Sequence, residues 1–311
     1  MIDLNEFLKL PTEEVARLVR ASGPKVCVFP INGTRRWFML EYANQHFADP
    51  VAAYMDIAEK QHIHIYKMLF NHGIETLIAP MFGSELLGRG DEYVKKIGAD
   101  GLVRLIEHPD FVHFYDEFGV GVHFYGDYRE ALGNTPYAYL SDIFDQAPQK
   151  TSGSKTFRIF YGIFANNASE AIARFAINLF QKQGRTPTHR EIVEAYYGEY
   201  VESASLFIGF DKFSVFDYPL LGLGEEDLYF TVAPSLYMDK VQLRRILYDH
   251  LYARRARETD YAEMEDRERQ FMKEFYALNR EQVFGIGIER GEVWYPSTQV
   301  QWPTHNKAKQ R

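Results

Sequence analysis

"VFPINGTRRWF", residues 28 to 38, passes from four apolar residues through Asn32, Gly33 and Thr34 into a pair of arginines followed by two large aromatics. The apolar run predicts a buried strand, and the glycine predicts a turn into a helix. In a strand, turn and helix passage, Gly33 lets the backbone approach a ligand and the helix N-terminus offers free N–H groups. Arg35 and Arg36 then add fixed positive charge, a combination suited to a diphosphate. A solvated arginine pair capping a surface turn is the competing reading. Against it stand Trp37 and Phe38, which adjoin the charges, so that a polar head site opens onto apolar surface as a lipid-like diphosphate requires.

Outward from this stretch, short β-prone runs alternate with longer helical patterns. Strands are predicted over 25–31, 76–82, 120–126, 157–164, 205–210 and 227–232. Helices are predicted over 50–73, 91–118, 167–184, 188–201 and 239–258, the fourth opening on a Thr188/Glu191 capping box. This order implies an α/β fold with a mostly parallel central sheet flanked by helices, whose ligands bind at the carboxyl ends of the strands. Residues 133–156 are polar and turn-rich and read as a loop or lid. The expected organisation is one catalytic domain over 1–258, a helical and hairpin extension over 259–298 that turns at Arg290 and Gly291, and a disordered tail over 299–311.

Composition narrows the function. A net charge of −8 argues against nucleic acid as a partner, since phosphate binding needs concentrated positive surface. Cys27 is the only cysteine, so neither a disulfide nor a cysteine metal site is expected. The acidic, amphipathic start and the lack of any apolar stretch near ~18 residues lead us to expect a soluble, cytoplasmic protein. At 15%, the aromatic fraction exceeds what a routine core requires, although core packing accounts for most of it.

The motifs resemble those of the cis-prenyltransferases. GTRRW after a strand looks like that family's diphosphate-binding signature, Asp-Gly-Asn-x-Arg-Trp. APMFGSE (79–85), FYGD (124–127), FANNASEAI (164–172) and DLYFT (227–231) follow in the family's order. Within the superfamily, KMLFNHGIETLIAP, YYGEYV and LYFTVAPSLYM look closest to the tuberculosinol synthase group of diterpene synthases. The resemblance implies a homodimer that uses Mg2+, ionises a C20 allylic diphosphate (geranylgeranyl or tuberculosinyl diphosphate) and quenches the cation with water or a nucleoside. Separately, the basic YARRARE stretch at a helix C-terminus could sit at a subunit contact or touch anionic lipid, so at most transient membrane contact is expected.

The same resemblance assigns roles. Gly33, Thr34, Arg35 and Arg36 would bind diphosphate, and Asp227, at the place of the family's glutamate, would hold the metal. Because aromatic faces stabilise a cation, Trp37, Phe38, Tyr42, Phe82, Tyr196 and Tyr197 are candidates to line the cavity, with ordinary core packing the competing reading for each. Two departures stand out. In SLFIGFDKFS, Gly209 is matched to the first arginine of the elongating enzymes' Arg-x-x-Gly-Glu-x-Arg-x-Ser and Lys212 to the second, with Ser214 kept. Loss of a bidentate guanidinium disfavours chain elongation. Asn32 stands where the family carries aspartate, a neutral amide in place of a hard-cation ligand. Three explanations are open: Asp227 carries the metal alone, the chain is a weakened relative or non-catalytic partner subunit, or Asn32 is an introduced substitution. His62 and His64, two apart on a helix, point to different faces and read as surface or satisfied histidines.

Overall fold

The computed structural model describes residues 2–22, 26–83, 88, 90, 94–151, 156–254, 261, 264–297 and 300–301. Its centre is a six-stranded sheet in the order β3-β4-β2-β1-β5-β6, parallel throughout. The strands are β1 (Val26–Val28), β2 (Thr76–Phe82), β3 (Val120–Tyr125), β4 (Phe157–Ile163), β5 (Leu206–Phe210) and β6 (Asp227–Thr231). β1 is shorter than its apolar run. Phe29 N–H still donates to Ile78 O at 2.8 Å, but Pro30 has no N–H with which to extend the ladder.

Alternation along the strands feeds two cores, as a sheet buried on both faces requires. Cys27, Phe29, Leu77, Ile159 and Tyr161 enter one, together with the helix Pro50–Asn71; Val26, Val28, Ile78, Phe160 and Phe207 enter the other, together with the helix His189–Tyr197. The predicted capping box is formed: Thr188 Oγ1 and the Glu191 carboxylate each accept from the other's backbone N–H.

Two segments differ from expectation. Residues 140–150 form a helix, Leu140–Lys150, because Leu140, Phe144 and Ala147 make a buried stripe at helical spacing. The lid reading of 133–156 is thereby corrected over that span. The helical sequence expected from about 91 to 118 is divided at Pro109, which holds His108 in extended backbone between the helices Asp100–Glu107 and Pro109–Phe118. Toward the C-terminus, a helix (Asp266–Asn279) without buried residues leads to an antiparallel hairpin, β7 (Gly287–Arg290) and β8 (Val293–Pro296), that turns at Gly291. Ser84, Glu85, residues 255–258 and nearly all of the tail lie outside the described residues.

Candidate active site

The carboxyl end of β1 runs into the helix Thr34–Glu41 through Asn32 and Gly33. Ser235 fastens this turn: its Oγ accepts from Asn32 N–H, and its own N–H donates to Asn32 O, both at 3.1 Å. Gly33 has φ +74°, and a Cβ there would lie 2.7 Å from the Phe210 ring, so both conformation and space select glycine. It caps the helix without a side-chain acceptor, and the first intrahelical bond is Trp37 N–H to Gly33 O at 2.9 Å. The first-turn N–H groups are therefore left to an anion. Arg35 and Arg36 are exposed on this turn. Arg36 lies over the Phe210 ring, 5.2 Å from its centroid, and donates to Asp211 Oδ2 at 3.4 Å.

Other strands end beside it. Phe164 after β4 and Asp211 after β5 have φ of +55° and +68°, conformations that L-residues rarely adopt and that cluster at functional sites. Phe164 N–H donates to Phe82 O at 2.7 Å, tying the ends of β4 and β2.

Apolar surface begins within one side chain of the helix start. The Thr34 and Tyr54 hydroxyls share a hydrogen bond of 2.7 Å, and Tyr54 stands edge-on to Phe38 at 5.5 Å. Phe38 stacks on Tyr42 at 5.1 Å, and Tyr42 meets Trp37 at 5.8 Å. Tyr54, Ala58, Met81, Phe82, Leu105 and Phe111 line a cavity of about 80 Å³, together with Glu59 and His62. His62 Nε2 is buried without a hydrogen-bond partner among the described residues, and burial pushes its pKa down to about 4, leaving it neutral. Burial raises the Glu59 pKa, against the opposing pull of Arg104, which donates to it at 2.8 Å, and of His108, which contacts its other oxygen. Glu59, His108 and Asp110 bring ligand atoms within 4.8 Å of one another, but the Arg104 guanidinium already occupies that carboxylate.

The structure thus assembles Gly33, Thr34, Arg35, Arg36, Trp37, Phe38, Tyr42 and Phe82 in one neighbourhood. Tyr54, Glu59, His62 and Asp211 belong to it as well and were missed. Helical spacing was the available signal for two of them, since Tyr54 and His62 stand on one helix face with Ala58 between them, one every four residues. The reading of His64 as a surface histidine holds, because it is exposed, whereas His62 is not satisfied.

Three assignments are corrected. Tyr196 and Tyr197 lie in the core of the opposite sheet face, where Tyr197 packs on Tyr125 at 4.7 Å and donates to Pro219 O at 2.7 Å. The elongating motif's first arginine falls on Leu206 when counted back from Ser214. Leu206 is fully buried, while at Gly209 a Cβ would lie 2.8 Å from the Phe207 and Phe230 rings, so neither position admits a guanidinium. Asp227 opens β6 at the amino edge, in register with Leu206, which pairs with Cys27. There it sits 2.5 Å from His250 Nδ1 and 3.6 Å from Arg254. Within one chain the two positions that the resemblance gives to magnesium, 32 and 227, do not converge. One offers only an amide, and the other is taken up by a buried histidine and an arginine, so neither position fits the ion within one chain.

The strand order and the head group at the carboxyl edge define a protein of the cis-prenyltransferase fold. Solved structures agree: a probable undecaprenyl diphosphate synthase from Campylobacter jejuni superposes with a TM-score of 0.54 at 14% identity, over 77% of this chain and 99% of that one. Lavandulyl diphosphate synthase from Lavandula x intermedia, in complex with dimethylallyl diphosphate, gives 0.51 at 14%, over 80% and 100%. In sequence, the tuberculosinyl adenosine transferase of Mycobacterium tuberculosis is 45% identical over 297 residues, 95% of this chain and 98% of its own. The (+)-kolavelool synthase of Herpetosiphon aurantiacus is 26% identical, over 95% and 96%. No protein-family model matches. The chain belongs to the tuberculosinyl adenosine transferase family. Among the described residues no helix is long and apolar enough to cross a membrane.

Proposed function

We propose that the chain is a diterpenoid-forming transferase or synthase that takes a C20 allylic diphosphate at the carboxyl edge of β1 and β5. The observation that carries this is the uncapped N-terminus of the helix Thr34–Glu41, with Arg35 and Arg36 on its first turn and beside it a cavity lined by Phe82 and by Tyr54, the ring that packs on Phe38. The bond between C1 and oxygen breaks, and its electron pair leaves with the diphosphate. Arg35, Arg36 and the first-turn N–H groups stabilise that developing charge. Phe38, Tyr42 and Phe82 shield the allylic cation and face it with aromatic electron density. Water or a nucleoside then forms the new bond to carbon and releases a proton. The 45% identical relative, whose name pairs a tuberculosinyl group with adenosine, supports the nucleoside acceptor. Magnesium would arrive with the diphosphate and offset part of its charge, and the working form is a cytoplasmic homodimer.

Product analysis tests it. The purified protein is incubated with Mg2+ and either geranylgeranyl or tuberculosinyl diphosphate, with and without adenosine and isopentenyl diphosphate. A C20 alcohol or adenosine adduct formed without isopentenyl diphosphate is the expected result. Longer prenyl chains would make the protein an elongase, and no product from any mixture would favour a non-catalytic subunit.

A further inference from the structure

The cavity beside the head site is apolar except at one corner, where Glu59, His62 and Arg104 line it. Tyr54 and His62 share a face of the helix Pro50–Asn71, and the eight residues between them rise about 12 Å. Tyr54 shares its hydroxyl with Thr34 at the head, and Phe82, Leu105 and Phe111 wall the cavity. A tail that leaves the diphosphate along this helix meets apolar side chains first and the polar corner last. Within that corner Glu59 is held by Arg104 at 2.8 Å and contacted at its other oxygen by His108, and Arg104 also donates to Asp56 at 2.6 Å. His62 Nε2 is the buried atom left with neither a hydrogen bond nor an ion pair among the described residues. Such an atom is destabilising unless something that enters the cavity pairs with it. A hydrocarbon strands it, whereas a hydroxyl, at once donor and acceptor, pairs with it in either tautomer. An anion is unsuited, because His62 is neutral and Glu59 lies three residues before it on the same helix.

We propose that the C20 diphosphate taken by this chain carries a hydroxyl on its hydrocarbon portion, remote from the carbon that ionises, and that His62 is the residue that selects it. The inference rests on the diphosphate reading above and narrows its substrate class from a hydrocarbon tail to an oxygenated one. Selection of this kind is strong, because a site built to bond a hydroxyl rejects the analogue that leaves its own polar atom unpaired.

Bicyclic C20 thiolodiphosphates, whose carbon–sulfur bond resists ionisation, serve as probes and give a readout independent of turnover. One has a hydrocarbon ring system, one is hydroxylated on the ring that bears the side chain, and one is hydroxylated on the far ring. Calorimetry measures their affinities for the parent and for His62→Leu, which keeps an apolar side chain of similar bulk and removes the nitrogen, with inorganic diphosphate as the control for the head. At least one hydroxylated probe should bind the parent on the order of tenfold more tightly than the hydrocarbon probe, and that gain should fall below about threefold in His62→Leu. A hydrocarbon probe bound by the parent as tightly as both hydroxylated ones overturns the proposal, a result that needs no variant. So does a gain that survives undiminished in His62→Leu. A parent that binds inorganic diphosphate but none of the probes overturns the proposal and leaves the diphosphate head intact. A parent that binds neither overturns both.

Discussion

Asp211, just after β5, and Asp227, the first residue of the adjacent parallel β6, have side chains 15% and 14% exposed, yet they occupy opposite ends of the sheet. Asp227 opens β6 level with Leu206, whereas Asp211 lies just beyond Phe210, the partner of Thr231; four residues of strand amount to about 13 Å. At the amino edge the acid is consumed by structure. His250, 1% exposed, holds it at 2.5 Å, and Arg254 neutralises its other oxygen. At the carboxyl edge the acid meets an exposed arginine at a longer distance, beside a helix N-terminus without a side-chain cap. The difference teaches that equal burial does not mean equal role. The ends of β1, β2, β4 and β5 meet at the carboxyl edge and leave polar groups for a ligand, whereas the amino-edge acid is paired within the fold.

The largest effect should fall at the carboxyl edge. Arg36→Ala is expected to lower turnover about 10²–10³-fold with little change in unfolding temperature, the range seen when one donor to a developing anion is removed. A loss under about tenfold, measured by steady-state product formation, would break the comparison at its functional end. Asp227→Asn should do the reverse. It should lower stability by about 2 kcal/mol in chemical denaturation, because buried His250 loses its acid, and leave turnover within about threefold. Collapsed turnover at unchanged stability would return Asp227 to the metal, through a second copy of the chain. Smallest is Tyr197→Phe, which removes the bond to Pro219 O on the closed face of the sheet. It should destabilise by about 1 kcal/mol and leave the product profile unaltered, whereas a changed product ratio would place the tyrosine back in the cavity.

Much of the architecture was legible in the chain. The six β-prone runs, the helix Pro50–Asn71, the Thr188/Glu191 box and the hairpin at Gly291 all rest on local causes: periodicity, capping chemistry and residues suited to positive φ. The diphosphate head was legible for the same reason, since Gly33, Arg35 and Arg36 lie within four consecutive residues. The buried stripe of Leu140–Lys150 was hidden by its polar neighbours, and Pro109 cut a pattern that periodicity alone would continue.

By itself the sequence determined the order and type of the elements and the single turn that carries the positive charge, because those depend on neighbours along the chain. Only the tertiary structure decided which side chains share that turn's space. Asp211 reaches Arg36 across 175 residues, Tyr54 meets Thr34 from the next long helix, and Tyr196, Tyr197 and Asp227 fall on another face or edge. Parallel crossovers bring distant segments together, and burying both faces of the sheet assigns each alternate residue to one side or the other. Spacing in the sequence encodes the pattern of burial but not the end of the strand at which a charge comes to rest.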